Sequence, residues 1–79
     1  MDRDCQAVRF DHGLHLAAFF APATAADLTV DRPCLALWTP DCLRLCDPTH
    51  KGGVLTFRWQ GRPREVILLP GGRVVELTL

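Results

Sequence analysis

The sequence carries no net charge: nine lysines and arginines balance nine aspartates and glutamates over 79 residues. No global field therefore draws it to nucleic acid or to a membrane surface. It also lacks a long apolar run, since the longest, Leu16 to Ala23, is about a third of a bilayer span. Repeats and low-complexity tracts are absent. So is a glycine-rich phosphate cradle: Gly52-Gly53 and Gly71-Gly72 sit between β-prone runs rather than where a strand feeds a helix. The start, Met1-Asp2-Arg3-Asp4-Cys5-Gln6, is polar and acidic, without the basic-then-apolar pattern of a signal peptide. These absences lead to the expectation of a cytoplasmic protein with no membrane contact. In that reducing setting four cysteines are more often buried small hydrophobes or free thiols than disulfides.

Catalytic constellations are missing as well. A nucleophilic thiol needs a base within hydrogen-bond reach and a third group to orient that base. The histidines His12, His15 and His50, with Asp11, Asp41 and Asp47 near them in sequence, fall in no such motif. Asp2, Asp4 and Asp11 read as an acidic N-terminal face, and Glu65 and Glu76 as solvent sides of strands. No catalytic residue and no cofactor is expected, and the chain is read as a non-enzyme.

What is present describes a small globular domain. An apolar fraction of 48% with 23% charged residues excludes wholesale disorder. The length makes residues 1–79 a single domain, burying only ~60–65% of the surface of its unfolded chain. Charge is mildly uneven: residues 1–39 hold three Arg against five Asp, and residues 40–79 six Lys and Arg against four acids.

The clearest pattern is Val54 to Leu79, which runs VLTFRWQ, GRP, REVILLP, GGR, VVELTL. Three β-prone runs separated by turn residues predict a three-stranded meander. Leu55, Phe57 and Trp59 share one face of its first strand. Its second strand, apolar on both sides through Val66, Ile67, Leu68 and Leu69, is expected to be central. The terminal run Val74 to Leu79 has no gatekeeper after Glu76, so it must be covered, central, or paired with another chain, for instance in an edge-strand homodimer.

Upstream, residues 5–10 and Leu14 to Phe20 flank Asp11-His12-Gly13, the form of a hairpin whose glycine is left-handed. A helix over 14–26 is the rival, against which Pro22 speaks. Thr24 could cap a single helical turn through Asp27, near 24–28, with a plain connection as the equal alternative. Cys34-Leu35-Ala36-Leu37-Trp38 and Cys42-Leu43-Arg44-Leu45-Cys46 flank Thr39-Pro40-Asp41. Pairing Trp38 with Cys42 makes Leu35, Leu37, Leu43 and Leu45 a core ladder and leaves Cys34, Cys42, Cys46, Trp38 and Arg44 on the other side, which is either half-exposed or a second buried face. Asp47 to Gly53 is a loop. The fold predicted from these runs is all-β, a small barrel or two-sheet sandwich of six to seven short antiparallel strands, with at most one helical turn near 24–28.

Candidate sites follow. Cys42, Cys46 and His50, with Cys34 upstream, offer a weak zinc set. In a strand, however, residues i and i+4 lie ~13 Å apart, too far for one tetrahedral ion. A cross-strand Cys34–Cys46 disulfide fits the register above. Arg58, Arg62, Arg64 and Arg73, with Trp59 among them, form the best positive feature. Gly61-Arg62-Pro63-Arg64 contains the Gly-Arg-Pro core that minor-groove hooks use. Arginine and tryptophan are equally the residues enriched at protein–protein hot spots, which adds Trp38 and Arg44. The expected function is a non-enzymatic binding module that occupies a surface of a protein partner, in the manner of small regulators, inhibitors and adaptors such as phages and mobile elements encode. A nucleic-acid-binding barrel using the turn 58–64, or a structural subunit of a larger assembly, are the alternatives.

Overall fold

The computed structural model describes residues 4–78; Asp2 of the acidic N-terminal face and Leu79 of the terminal strand lie outside the described residues. Among the described residues the chain forms nine strands: β1 (Cys5–Arg9), β2 (His15–Phe19), β3 (Ala23–Ala25), β4 (Leu28–Val30), β5 (Cys34–Trp38), β6 (Cys42–Cys46), β7 (Gly53–Trp59), β8 (Arg62–Leu68) and β9 (Val75–Thr78). They make two antiparallel sheets, one in the order β1-β2-β5-β6-β9 and the other β3-β4-β7-β8. The only helical elements among the described residues are two single 3-10 turns, Asp11–Gly13 and Pro70–Gly72. The two-sheet sandwich is what forms, and the sheets do not close into a barrel.

The construction is four hairpins laid alternately in the two sheets, β1–β2, β3–β4, β5–β6 and β7–β8, with β9 returning to the first. Each of the four passages from sheet to sheet contains a proline: Pro22, Pro33, Pro48 and Pro70. Proline has no N–H for a ladder and fixes φ. A strand that meets one cannot simply fold back on itself in the same sheet. The sandwich topology is thus partly written in proline positions.

The inner faces build the core. Ala17 and Phe19, then Cys34, Ala36 and Trp38, then Leu43 and Leu45 face Leu28, Val30, Leu55, Phe57, Trp59 and Leu68 of the other sheet, all buried. One border is closed, where β1 packs against β3. The opposite border, between β8 and β9, stays open as a cleft.

Within the expected all-β class, several details differ from expectation. The stretch 24–28 is not a helical turn but the β3–β4 hairpin, with Ala26 at φ 51 in its two-residue loop. β-Branched Thr24, Thr29 and Val30 favour strand there, and the left-handed alanine is a local strain that no sequence rule would volunteer. The β5–β6 register is one residue off: Trp38 pairs with Leu43, not Cys42. Thr39 Oγ1 accepts the N–H groups of Asp41 and Cys42, at 3.3 and 3.2 Å, which draws Cys42 into the turn. Since a one-residue slip exchanges faces, Leu43 and Leu45 join Trp38 in the core while Leu35 and Leu37 turn outward.

The meander is not a meander, because β9 pairs with β6. The six residues from Leu69 to Val74 carry the Pro70–Gly72 turn, anchored by the Gly71 N–H to His50 O at 2.8 Å, and this redirects the chain to the other sheet. Consequently β8 is an edge strand rather than a central one, and Ile67 on its outer face is 67% exposed. The strand count also rises above the expected six or seven. The two additional short strands are β3 and β4.

Candidate functional site

The four arginines of the sequence cluster are separated. β7 and β8 are joined by Gln60 and Gly61, both at positive φ (54 and 75), the requirement of a type I′ hairpin turn. Arg62, Pro63 and Arg64 therefore begin a strand instead of forming a loose hook. Arg62 faces Trp59 and Arg64 faces Phe57 across the ladder, so both lie on the inner face at the open border. Arg58 lies on the outer face, its guanidinium donating to Gly61 O at 3.4 Å. Arg73 follows the 3-10 turn at the far end of β8.

Trp38 and Arg44, paired in the sequence reading, lie on opposite faces of their sheet. Trp38 is buried; its indole N–H donates to Asp27 Oδ1 at 2.9 Å and its ring stacks on His15 at 5.1 Å. It is a core anchor and offers no surface. Arg44 is exposed and pairs with Glu76 at 3.1 Å. Trp59 is also buried, at 1% exposure, but its indole N–H has no acceptor among the described residues. An unsatisfied buried donor costs about 1–3 kcal/mol. It lines the cleft at the β8/β9 border, with Arg62, Pro63, Arg64 and Thr78.

The cysteines and His50 are not brought together. Cys34 points into the core, whereas Cys42 and Cys46 point outward from β6, four residues apart. Cys46 opposes Leu35, so the cross-strand disulfide does not form, and Cys34, Cys42 and Cys46 are free thiols. Burial pushes the Cys34 thiol up to about 12, with Arg32 pulling weakly the other way. Burial, then Asp47, raises Cys46 as well. Both therefore stay protonated at neutral pH, poor nucleophiles and poor ligands. His50 lies at φ 67 with its ring against Gly72. No group of three His, Cys, Asp or Glu poised for a metal exists among the described residues.

Sequence reasoning missed the buried Asp47. Its Oδ1 accepts the Thr49 N–H and hydroxyl at 2.8 and 2.7 Å, and its Oδ2 accepts the Gly52 N–H at 2.7 Å and Arg32 Nη2 at 3.3 Å. The Thr49 hydroxyl, then the two backbone N–H groups and Arg32, outweigh burial and hold the carboxyl at about 2. Gly52 sits at φ +77, where a Cβ would come within 2.7 Å of Leu68 O. This hub ties the β4–β5 passage, through Arg32, to the β6–β7 loop. An Asp-Pro-Thr followed by Gly-Gly was the available signal.

A further feature combines Arg44 and Cys46 with apolar residues that the sequence-derived set did not include. The outer face of the five-stranded sheet carries two cross-strand rows. One runs Val8, Leu16, Leu37, Arg44, Glu76, and the other Gln6, Ala18, Leu35, Cys46. Val8, Leu16 and Leu35 are 53%, 42% and 39% exposed. Two shallow hollows of about 370 and 380 Å³ meet at Leu16 and Leu35. Its only charged residues in these rows already neutralise each other.

The open edge of β8 is less inviting. With Trp59 and Arg62 as the hydrogen-bonded pair beside the turn, Pro63, Glu65 and Ile67 direct their backbone groups to the free edge. Pro63 supplies no N–H and Glu65 adds charge, which protects that half of the edge.

No helix among the described residues is long and apolar enough to cross a membrane. No family model, curated protein or solved structure matches the chain.

Proposed function

We propose that this is a non-enzymatic binding module that docks on a protein partner through the outer face of its five-stranded sheet. The observation that supports this most is the apolar patch of Val8, Leu16, Ala18, Leu35 and Leu37, continuous over three adjacent strands. Its chemistry describes the partner. The patch centre holds no formal charge, and Arg44 with Glu76 at its margin is already paired. A matching surface is apolar and uncharged at its centre, since a charge placed there would be stripped of water without a counterion.

Size narrows the kind of association. Three strands at ~4.8 Å spacing and five residues at ~3.3 Å give a patch on the order of 240 Å² in plan. A standard interface takes about 800 Å² of accessible surface from each partner, and obligate dimers more. The patch suits the core of a reversible heteromeric contact whose rim is polar. It is small for a permanent dimer of this chain. The hollows are open rather than enclosing, unlike a pocket that surrounds most of a small ligand.

The test begins with the partner recovered from the native host and the complex rebuilt from purified components. Leu35→Lys should weaken it at least ~10-fold, about 1.4 kcal/mol, while Thr56→Lys on the opposite outer face should leave it unchanged. Equal loss from both variants would remove the assignment. Concentration-dependent sedimentation of the chain alone, abolished by Leu35→Lys, would transfer the patch to self-association.

A further inference from the structure

We infer that the cleft between β8 and β9 is a binding site for a compact oxyanion. The hairpin register places Arg62 and Arg64 on the same face of one strand, two residues and ~6.6 Å apart along it. Both line the cleft, which has a volume of about 400 Å³ and includes Trp59 and Thr78. Neither guanidinium has a carboxylate partner among the described residues. Glu65 and Glu76, the nearest acids on these strands, belong to the outer faces, and Glu76 is already bonded to Arg44.

The side chains that face into it are donors: two guanidinium groups and an indole N–H can only give hydrogen bonds, Pro63 adds no donor, and Thr78 shares the outward side of β9 with Glu76. A ligand that fits such a set is acceptor-only. Two arginines at this spacing can grip one carboxylate or phosphate group from both sides, with their planar forks donating in pairs. Held between them, the ion also removes the repulsion of two like charges on one face.

Trp59 is the second, independent observation. Its indole nitrogen is covered and without an acceptor, while the other tryptophan of the same core has one in Asp27. Arg62 is exposed and directly opposite Trp59. Both line the same cleft, so an ion gripped by Arg62 lies beside the indole. Two arginines in a recess, in a chain of zero net charge, suit a localised ion better than a nucleic-acid backbone, which calls for an extended basic stripe.

The site stands apart from the apolar face, so either can fail without the other. The test is a titration of the whole chain with inorganic phosphate, and separately with the blocked tripeptide Glu-Asp-Glu, against sodium chloride of equal ionic strength. The two indole ¹H–¹⁵N signals are followed. The Trp59 signal should move saturably while the Trp38 signal stays in place, and Arg62→Gln or Arg64→Gln should each weaken binding about tenfold. The Trp38 signal in each variant reports that the fold is intact. Tighter saturation by phosphate assigns the site to a small phosphate-type ion; tighter saturation by the tripeptide assigns it to carboxylates of a polypeptide. No saturable movement, or movement undiminished in both variants, would overturn the proposal. So would a response confined to a single-stranded oligonucleotide, which would mark a nucleic-acid surface instead.

Discussion

The two sheets bury the same chemistry and expose different chemistry. Inward, both present leucine, phenylalanine, tryptophan and small residues. Outward, the four-stranded sheet shows a row of Thr24, Thr29, Arg58 and Pro63, and another of Thr56 and Glu65. Thr24 and Thr29 share a hydroxyl hydrogen bond of 2.8 Å. Only the Val54–Ile67 pair at its far end is apolar. The outer face of the five-stranded sheet is the reverse, apolar across its middle with one ion pair at its margin. A solvent-facing antiparallel sheet ordinarily alternates apolar-in and polar-out. One face of this sandwich obeys that rule and the other does not. The exception is the face to which the proposed docking is assigned.

The comparison is sharpened first by removing what the sheets have in common. Leu43→Ala in one inner face and Leu55→Ala in the other should each destabilise by about 2–5 kcal/mol in chemical denaturation, because both side chains are wholly buried. Leu35→Lys on the apolar outer face should change stability by less than ~0.5 kcal/mol, as surface substitutions do. If Leu35→Lys matched the inner-face losses, the outer face would be a structural element.

The next prediction concerns the Asp47 hub, which ties the passages between sheets and so holds the two faces in relation. Its carboxyl lies at about 2 when folded against an ordinary 3.8, so the folded state favours the ionised form. The stabilisation is complete above about pH 4 and is lost as pH falls towards 2. Acid unfolding monitored by circular dichroism should show that loss, and Asp47→Asn should be less stable at neutral pH with a flatter acid limb.

A smaller effect is expected at the β3–β4 turn of the polar-faced sheet. Ala26 at φ 51 carries a left-handed penalty of ~1–2 kcal/mol that glycine avoids. Ala26→Gly should therefore raise the thermal midpoint through a gain of about 1 kcal/mol, offset in part by the greater freedom of the unfolded chain. The smallest effect belongs to Arg44→Ala. The Arg44–Glu76 pair is about half-exposed on both sides, so its loss should change stability by under ~0.5 kcal/mol.

Much of the fold was legible from residue patterns. The hairpin at Asp11-His12-Gly13, the inner face of Leu55, Phe57 and Trp59, and the strand character of 34–46 all follow from alternation and turn residues. What escaped depended on single side chains and on distant partners. Thr39, by holding two N–H groups, shifts a register and so reverses which leucines are buried. The partner of β9 is set by the Pro70–Gly72 turn docking on His50, a contact that periodicity does not encode. The same slip decides which side chains are exposed. The sequence pattern puts Leu35 and Leu37 in the core and leaves the side of Trp38 either half-exposed or buried; in the structure Trp38 is buried and Leu35 and Leu37 form part of an apolar outer face. Arg62 and Arg64 were identified, but their pairing in one cleft depended on a hairpin turn two residues long.

The most direct test of the apolar face is site-specific photo-crosslinking in the native host, with a benzoylphenylalanine placed at position 35 in one protein and at position 56 in another. Leu35 and Thr56 lie on opposite outer faces of the sandwich. The account predicts a discrete adduct from position 35, absent when Leu16→Glu is added, and none from position 56. Equal labelling from both positions, or an adduct at 35 that survives Leu16→Glu, would contradict it.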